Sequence, residues 1–338
     1  MGAALAEARR LFRPISWRGA TPDPKDVDCL LFDRTRRVTS FDGTEIAYDV
    51  YGRRGPWVAL VPGFSCPDSF WRYMLPDLAE DFRVIVWDLR GLGLSGTPRP
   101  PGYRARNLSS EDFSISANAR DLVAVLDAER VTVAALVGHS MGGQTILEAY
   151  RRGPARVSAL VFLTAPFESP LRTFYGRDFH TFFRGIQVAI GVLPRPAILL
   201  WRTLFVDPRF TTRVAQLSRA LGPGARVEDM AEYFRHLQGL DPLVMLKMAE
   251  AMRAHSARDV LPTVKPPALI IAAELDTFTP LALAEHMRRA IPHSEFHLVR
   301  GAAHGAVIER PAEIDGAVQD FLRRHLKPRA AKAASSRR

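Results

Sequence analysis

The sequence predicts an α/β fold, a mostly parallel central sheet flanked by helices with a helical cap inserted. Three observations predict it. Short apolar, β-branched-rich runs alternate with helical periodicity along most of the chain. One of those runs leads through Gly138-His139-Ser140-Met141-Gly142 straight into a helix. A segment of about 90 residues in the second half breaks the alternation.

The elements follow in order. Residues 37–51 read as two strands around Asp42-Gly43, a favoured hairpin turn. Trp57–Val61 is a short buried strand closed by Pro62-Gly63, Phe70–Leu78 a helix, and Phe82–Trp87 a further strand ending in Asp88. Asn118–Asp127 places Leu122, Val123, Val125 and Leu126 at helical spacing. Val131–Val137 and the helix behind Gly142 come next, then a strand at Val157–Leu163. Beyond the interval, Ala268–Ala273 and Glu295–Val299 read as strands, and Leu281–Ala290 and Glu313–His325 as helices. Strands separated by helices favour parallel pairing, with a site at the carboxyl ends of the strands.

This gives an N-terminal extension at 1–36, a core made of 37–165 and 259–325, a helical cap at 166–258 and a basic disordered tail at 326–338. The cap is rich in proline and aromatics, Phe167, Phe205, Phe210, Tyr233 and Phe234 among them. Such a lid would line an apolar pocket and exclude water, although any single aromatic is better read as part of the cap's own core.

The bulk composition narrows the classes. With 338 residues, 47% hydrophobic and 24% charged, the chain can bury a large core. Two cysteines, Cys29 and Cys66, make no disulfide framework. The first residues are basic without an apolar core, so no secretory signal is expected and the cytoplasm is the expected compartment. No apolar run reaches spanning length; the nearest, Ile186–Leu193 and Pro196–Leu200, are short and carry prolines. The formal net charge is +10, and seven of the positive charges lie from Arg323 onward with no acid among them. That tail reads first as a solubilising terminus, with weak contact to an anionic surface as the alternative; no specific nucleic-acid partner is expected. The zinc-type Cys/His spacing and the phosphate-binding glycine loop are both missing, so no metal and no cofactor is expected.

The chemistry centres on Ser140. A serine at the apex of a strand–turn–helix is held exposed by a strained backbone, and a side chain at Gly138 or Gly142 would strike the neighbouring strand or helix. A serine hydroxyl becomes nucleophilic only with a base in reach and an acid to orient that base. His304 follows the last strand in a loop of small residues, Gly301-Ala302-Ala303-His304-Gly305. His139 adjoins the serine and is expected to point away from it and pack; His293 and His297 read as structural. The orienting acid should end a strand between serine and histidine. Asp276 fits, with Glu274 and Glu168 as rivals. An oxyanion needs two backbone N–H donors, and the expected ones are Met141, after the nucleophile, and Phe64, after the Trp57–Val61 strand.

These residues resemble the α/β-hydrolase fold superfamily, in its capped serine esterase, lipase and cofactor-free haloperoxidase-like branch. The resemblance spans about residues 37–325 and rests on VPGF (61–64), DLRGLGLS (88–95), GHSMGG (138–143), ELDTFTP (274–280) and GAAHG (301–305). It implies Ser140, Asp276 and His304 as a catalytic triad and Phe64 and Met141 as oxyanion donors. Many relatives carry His-Gly where this chain has Pro62-Gly63; proline lacks an N–H, but the donor expected at Phe64 is kept. The implied activity is hydrolysis of an ester or other activated acyl bond of a partly apolar small molecule, most simply as a carboxylesterase. An acyltransferase, a carbon–carbon hydrolase or a lactonase would use the same triad, and a non-catalytic ligand-binding protein would use the same scaffold. Oligomeric state is not legible in the sequence.

Overall fold

A computed structural model describes residues 36–98, 108–170 and 205–326, with a few isolated positions between 185 and 203. Residues 1–35 of the N-terminal extension, Cys29 among them, the basic tail beyond Leu326, and the cap aromatics between 174 and 201 lie outside the described residues; Arg36, assigned to the extension, already belongs to the first strand.

Eight strands form one sheet in the order β1-β2-β4-β3-β5-β6-β7-β8. They are β1 (Arg36–Thr39), β2 (Glu45–Tyr51), β3 (Trp57–Val61), β4 (Arg83–Trp87), β5 (Ala134–His139), β6 (Val157–Leu163), β7 (Ala268–Ala273) and β8 (Glu295–Val299). The first pair is an antiparallel hairpin, and β2 runs antiparallel to β4. Every other neighbour pair is parallel. The central strands β5 and β7 are buried at every position, because helices cover the sheet and leave no polar face to alternate.

Helices α1 (Met74–Asp81), α2 (Ile115–Ala128) and α3 (Met141–Arg152) belong to the first half. Then come α4 (Pro208–Leu217), α5 (Val227–Gly239) and α6 (Pro242–Ala254), followed by α7 (Leu281–Ala290), α8 (Ala306–Glu309) and α9 (Pro311–His325). Helix α9 packs on α1 and against β6, β7 and β8, while α2 and α3 pack together beside β5. The helix expected over Phe70–Leu78 is instead a 3₁₀ turn at Asp68–Trp71 followed by α1. The break lets Phe70 and Trp71 turn inward, where both are buried. Strand β5 also runs two residues beyond the expected Val137, to His139, so the turn at Ser140 begins directly at the strand's end.

The DLRGLGLS segment is a structural knot. The Asp88 carboxylate accepts from Leu94 N–H at 2.7 Å, closing the loop on itself. Arg90 is fully buried and donates to Asp121 at 2.6 and 2.7 Å and to Asp42 at 2.7 Å, tying the loop to α2 and to the hairpin. A buried guanidinium is tolerable only when paired in this way.

Helices α4, α5 and α6 occupy the interval assigned to the cap. Phe234 is buried and stacks on Phe205, with ring centroids 6.1 Å apart. Phe210, one of the aromatics expected in the cap's core or lining, faces outward and is 65% exposed. Its helix turns Thr211 and Thr212 inward instead.

Candidate active site

Ser140 sits between β5 and α3 at φ 51° and ψ −123°, a left-handed φ that costs a non-glycine residue about 1–3 kcal/mol. The surrounding backbone holds it there: Ser140 N–H donates to Leu163 C=O at 3.0 Å, and Gly143 N–H donates to Ser140 C=O at 2.8 Å. The turn closes only because its flanks are glycines. A Cβ at Gly138 would lie 2.6 Å from the Gly142 carbonyl, and one at Gly142 would lie 2.3 Å from the Val61 carbonyl oxygen.

Three residues predicted from the sequence meet here. Ser140 Oγ lies 2.9 Å from His304 Nε2, and His304 Nδ1 lies 2.8 Å from Asp276 Oδ2. The Asp276 side chain is fully shielded from solvent, while His304 keeps 17% exposure. Asp276 Oδ1 accepts from Phe278 N–H at 2.8 Å and Thr279 N–H at 2.9 Å, and Thr279 Oγ1 lies 2.6 Å from Oδ2. Burial pushes the Asp276 carboxyl up, but His304 and the Thr279 hydrogen bonds outweigh it and hold the group below the usual aspartate range.

The rivals are elsewhere. Glu274 accepts from Gly301 N–H at 2.8 Å, and Glu168 pairs with Arg258 at 2.7 Å. His297 bonds Glu313, and His293 occupies a left-handed turn position after α7. His139 packs under the site, its ring 4.5 Å from Phe70 and 5.2 Å from His304. Its Nε2 lies 3.3 Å from the His304 carbonyl, a link to the site that the expected packing role did not include. Burial first, and His304 second, push the His139 imidazole down to about 3, so it stays neutral at neutral pH.

Of the two expected oxyanion donors, Met141 follows the serine in the chain and Phe64 lies on the loop after β3. Met141 is fully buried and opens α3, whose N-terminus favours negative charge. Phe64 follows Gly63, which abuts the serine closely: a Cβ added there would lie 3.0 Å from Ser140 Cβ. The Gly63 carbonyl accepts from Cys66 N–H at 3.3 Å. In a trans peptide N–H and C=O point oppositely, so this bond turns Phe64 N–H away from the Cys66 turn. The turn continues through Ser65, at φ 58°, whose hydroxyl lies 2.6 Å from the Phe64 carbonyl and 3.3 Å from Tyr233 Oη on α5. Nothing in the sequence marked Tyr233 as a neighbour of this loop. Among the described residues no group of three or more His, Cys, Asp or Glu side chains is arranged to hold a metal ion, and no helix is long and apolar enough to cross a membrane.

The family model described as the alpha/beta hydrolase fold matches residues 56–311. The chain belongs to this family. Among curated proteins it is similar to bifunctional epoxide hydrolase 2 of Sus scrofa, 26% identical over 296 residues, covering 79% of this chain and 51% of that protein. The chain thus spans about half the length of that relative. It is also similar to a putative carbamate hydrolase of Caulobacter segnis, 26% identical over 285 residues and covering 82% and 96% of the two chains. Among solved structures, an esterase from Exiguobacterium antarcticum superposes with a TM-score of 0.68 at 20% identity, over 86% of this chain and 99% of that one. The enol-lactonase from Burkholderia xenovorans LB400 gives 0.61 at 22% identity, over 85% and 99%. These likenesses carry the fold.

In this α/β-hydrolase a further acid stands behind the histidine. Glu309, 5% exposed on α8, accepts from Ala303 N–H at 2.9 Å and from Gly222 N–H at 2.8 Å. One carboxylate therefore clamps the loop that carries His304 to the segment just before α5. The sequence offered only the spacing of five residues from His304, which is silent about contacts. Glu309→Gln puts an amide donor against a backbone donor. It is expected to lower stability by about 1–3 kcal/mol, read by thermal or denaturant unfolding, and to lower kcat by loosening His304.

Proposed function

We propose that this α/β-hydrolase is a serine hydrolase that cleaves an ester or other activated acyl bond of a partly apolar small molecule through an acyl-enzyme on Ser140. The observation that carries the reading is the unbroken relay from Ser140 Oγ to His304 Nε2 at 2.9 Å and from His304 Nδ1 to Asp276 Oδ2 at 2.8 Å. His304 takes the serine proton as Oγ attacks the acyl carbonyl, and Asp276 stabilises the imidazolium without being protonated. Phe64 and Met141 N–H groups receive the developing oxyanion. His304 then protonates the leaving group, and the same imidazole activates the water that frees the acyl group. His139, kept neutral by burial, takes no part in the proton traffic.

The similarity to an epoxide hydrolase does not favour epoxide opening here. Serine attack on an epoxide would give an ether, which has no carbonyl for water to attack; a carboxylate nucleophile would give a hydrolysable ester. Within acyl chemistry the carboxylesterase reading comes first. Lactonase, carbon–carbon hydrolase and acyltransferase differ in what leaves and what attacks, a choice that falls to the cap at 166–258.

A panel of aryl esters, thioesters and lactones of graded acyl length tests the reading. Turnover is expected on esters with an apolar acyl group. A fluorophosphonate probe should label Ser140. Absence of both turnover and labelling across the panel would remove the acyl-enzyme mechanism.

A further inference from the structure

Helix α4 is mounted with its apolar side outward. Phe210, Val214 and Leu217, at i, i+4 and i+7, share one face and are 65%, 46% and 74% exposed. Val206, just before the helix, is 65% exposed. The opposite side carries Thr211 and Thr212, 9% and 2% exposed, whose hydroxyls bond back to Asp207 C=O at 2.9 Å and Pro208 C=O at 2.7 Å. A helix that packs only on its own protein does the reverse. Elsewhere among the described residues, exposed large hydrophobics occur at Phe41, Val133, Leu193, Leu199 and Leu200.

Cations outnumber acids three to one along this segment. Arg209, Arg213 and Arg219 are exposed, and the only acid between 205 and 219, Asp207, is turned back to cap α4 through Arg209 N–H at 2.9 Å. We propose that the outer face of α4 docks on an anionic lipid bilayer, with Phe210, Val214 and Leu217 in the acyl boundary and the arginines on the headgroups. An exposed apolar stripe edged by cations is the pattern of an interfacial helix. A second copy of the chain fits less well. A two-fold interface would bring the same arginine-edged face against itself, like charge on like charge.

The docking face is one helix away from the candidate site. Helix α4 packs on α5, and α5 carries Tyr233 to within 3.3 Å of Ser65, next to Phe64. An acyl substrate with an apolar portion concentrates in the bilayer, so docking would bring the site to its substrate. The docking itself does not depend on which bond is cleaved, and its test needs no turnover.

The test is co-sedimentation of the full chain with vesicles of phosphatidylcholine, with and without phosphatidylglycerol. The wild type is expected to sediment with the anionic vesicles, less so at high salt. The triple variant Phe210→Ser/Val214→Ser/Leu217→Ser should lose at least about tenfold in partitioning, as expected from removing three buried apolar side chains. It should keep its melting temperature and its turnover of a soluble ester. Arg209→Gln/Arg213→Gln should lose the salt-sensitive part. A wild type that ignores both vesicle types overturns the proposal. So does a triple variant that binds like the wild type, which would assign binding to another part of the chain such as the basic tail. A triple variant with a lowered melting temperature and no change in sedimentation would show the face to be covered by the chain's own segment. Loss of a concentration-dependent dimer without vesicle binding would show it to be covered by a second copy.

Discussion

Ser140→Ala is expected to lower ester turnover by about four orders of magnitude or more, with the fold intact. The size follows from the division of labour. Without Oγ there is no acyl-enzyme, and His304 loses the atom it activates at 2.9 Å. What survives is whatever Phe64, Met141 and binding contribute to direct attack by water. The fold should survive because the backbone bonds of Ser140, to Leu163 at 3.0 Å and from Gly143 at 2.8 Å, do not involve its side chain. Alanine bears the same left-handed strain as serine, so the elbow neither gains nor loses from the exchange. The measurement is kcat/KM on an aryl ester beside a thermal melt. Turnover within tenfold of the wild type in a folded variant would remove Ser140 from the chemistry.

The sheet was legible because each strand is short, apolar and bounded by turn residues, and because central strands buried on both sides read as continuous apolar runs. The strand bounds at Trp57–Val61, Val157–Leu163, Ala268–Ala273 and Glu295–Val299 coincide with those of the structure. The elbow was legible for a steric reason: Gly138 and Gly142 stand where a Cβ would meet backbone, and no other residue fits. Position favoured Asp276 but left Glu274 as a near rival and Glu168 as a more distant one. Asp276 and Glu274 leave the same strand end two residues apart, and only the path of the loop decides that one reaches His304 while the other caps Gly301. Glu309 was missed because its partners are backbone N–H groups, which carry no sequence signature. Phe210 misled for the opposite reason. An aromatic in a cap-like segment reads as core or lining, whereas the helix register turns it outward and buries two threonines.

Asp276→Asn is expected to cost about four orders of magnitude in kcat, and the hydrogen bonds around the carboxylate explain why so conservative a change should be so costly. Oδ1 receives two backbone donors, Phe278 N–H at 2.8 Å and Thr279 N–H at 2.9 Å. An asparagine at 276 must therefore place its carbonyl oxygen there, because its NH2 would oppose both donors. The NH2 then occupies the Oδ2 position and points at His304 Nδ1. Facing a donor, Nδ1 becomes an acceptor and the ring proton moves to Nε2, the atom 2.9 Å from Ser140 Oγ. A protonated neutral Nε2 cannot take the serine proton, so the base is present but in the wrong tautomer. The substitution should also change the acid side of the stability profile. The Asp276 carboxyl is held below its usual range, so its ionised form stabilises the fold above the unfolded-state value, and that contribution is lost as pH falls through the lower folded value. Asparagine has no such limb, and the variant's stability should vary less over that acid window. Glu274→Gln and Glu168→Gln, which alter neither the relay nor its tautomer, should leave kcat within a few-fold of the wild type. A slow Glu274→Gln or Glu168→Gln enzyme beside a near-normal Asp276→Asn enzyme would transfer the orienting role to that glutamate.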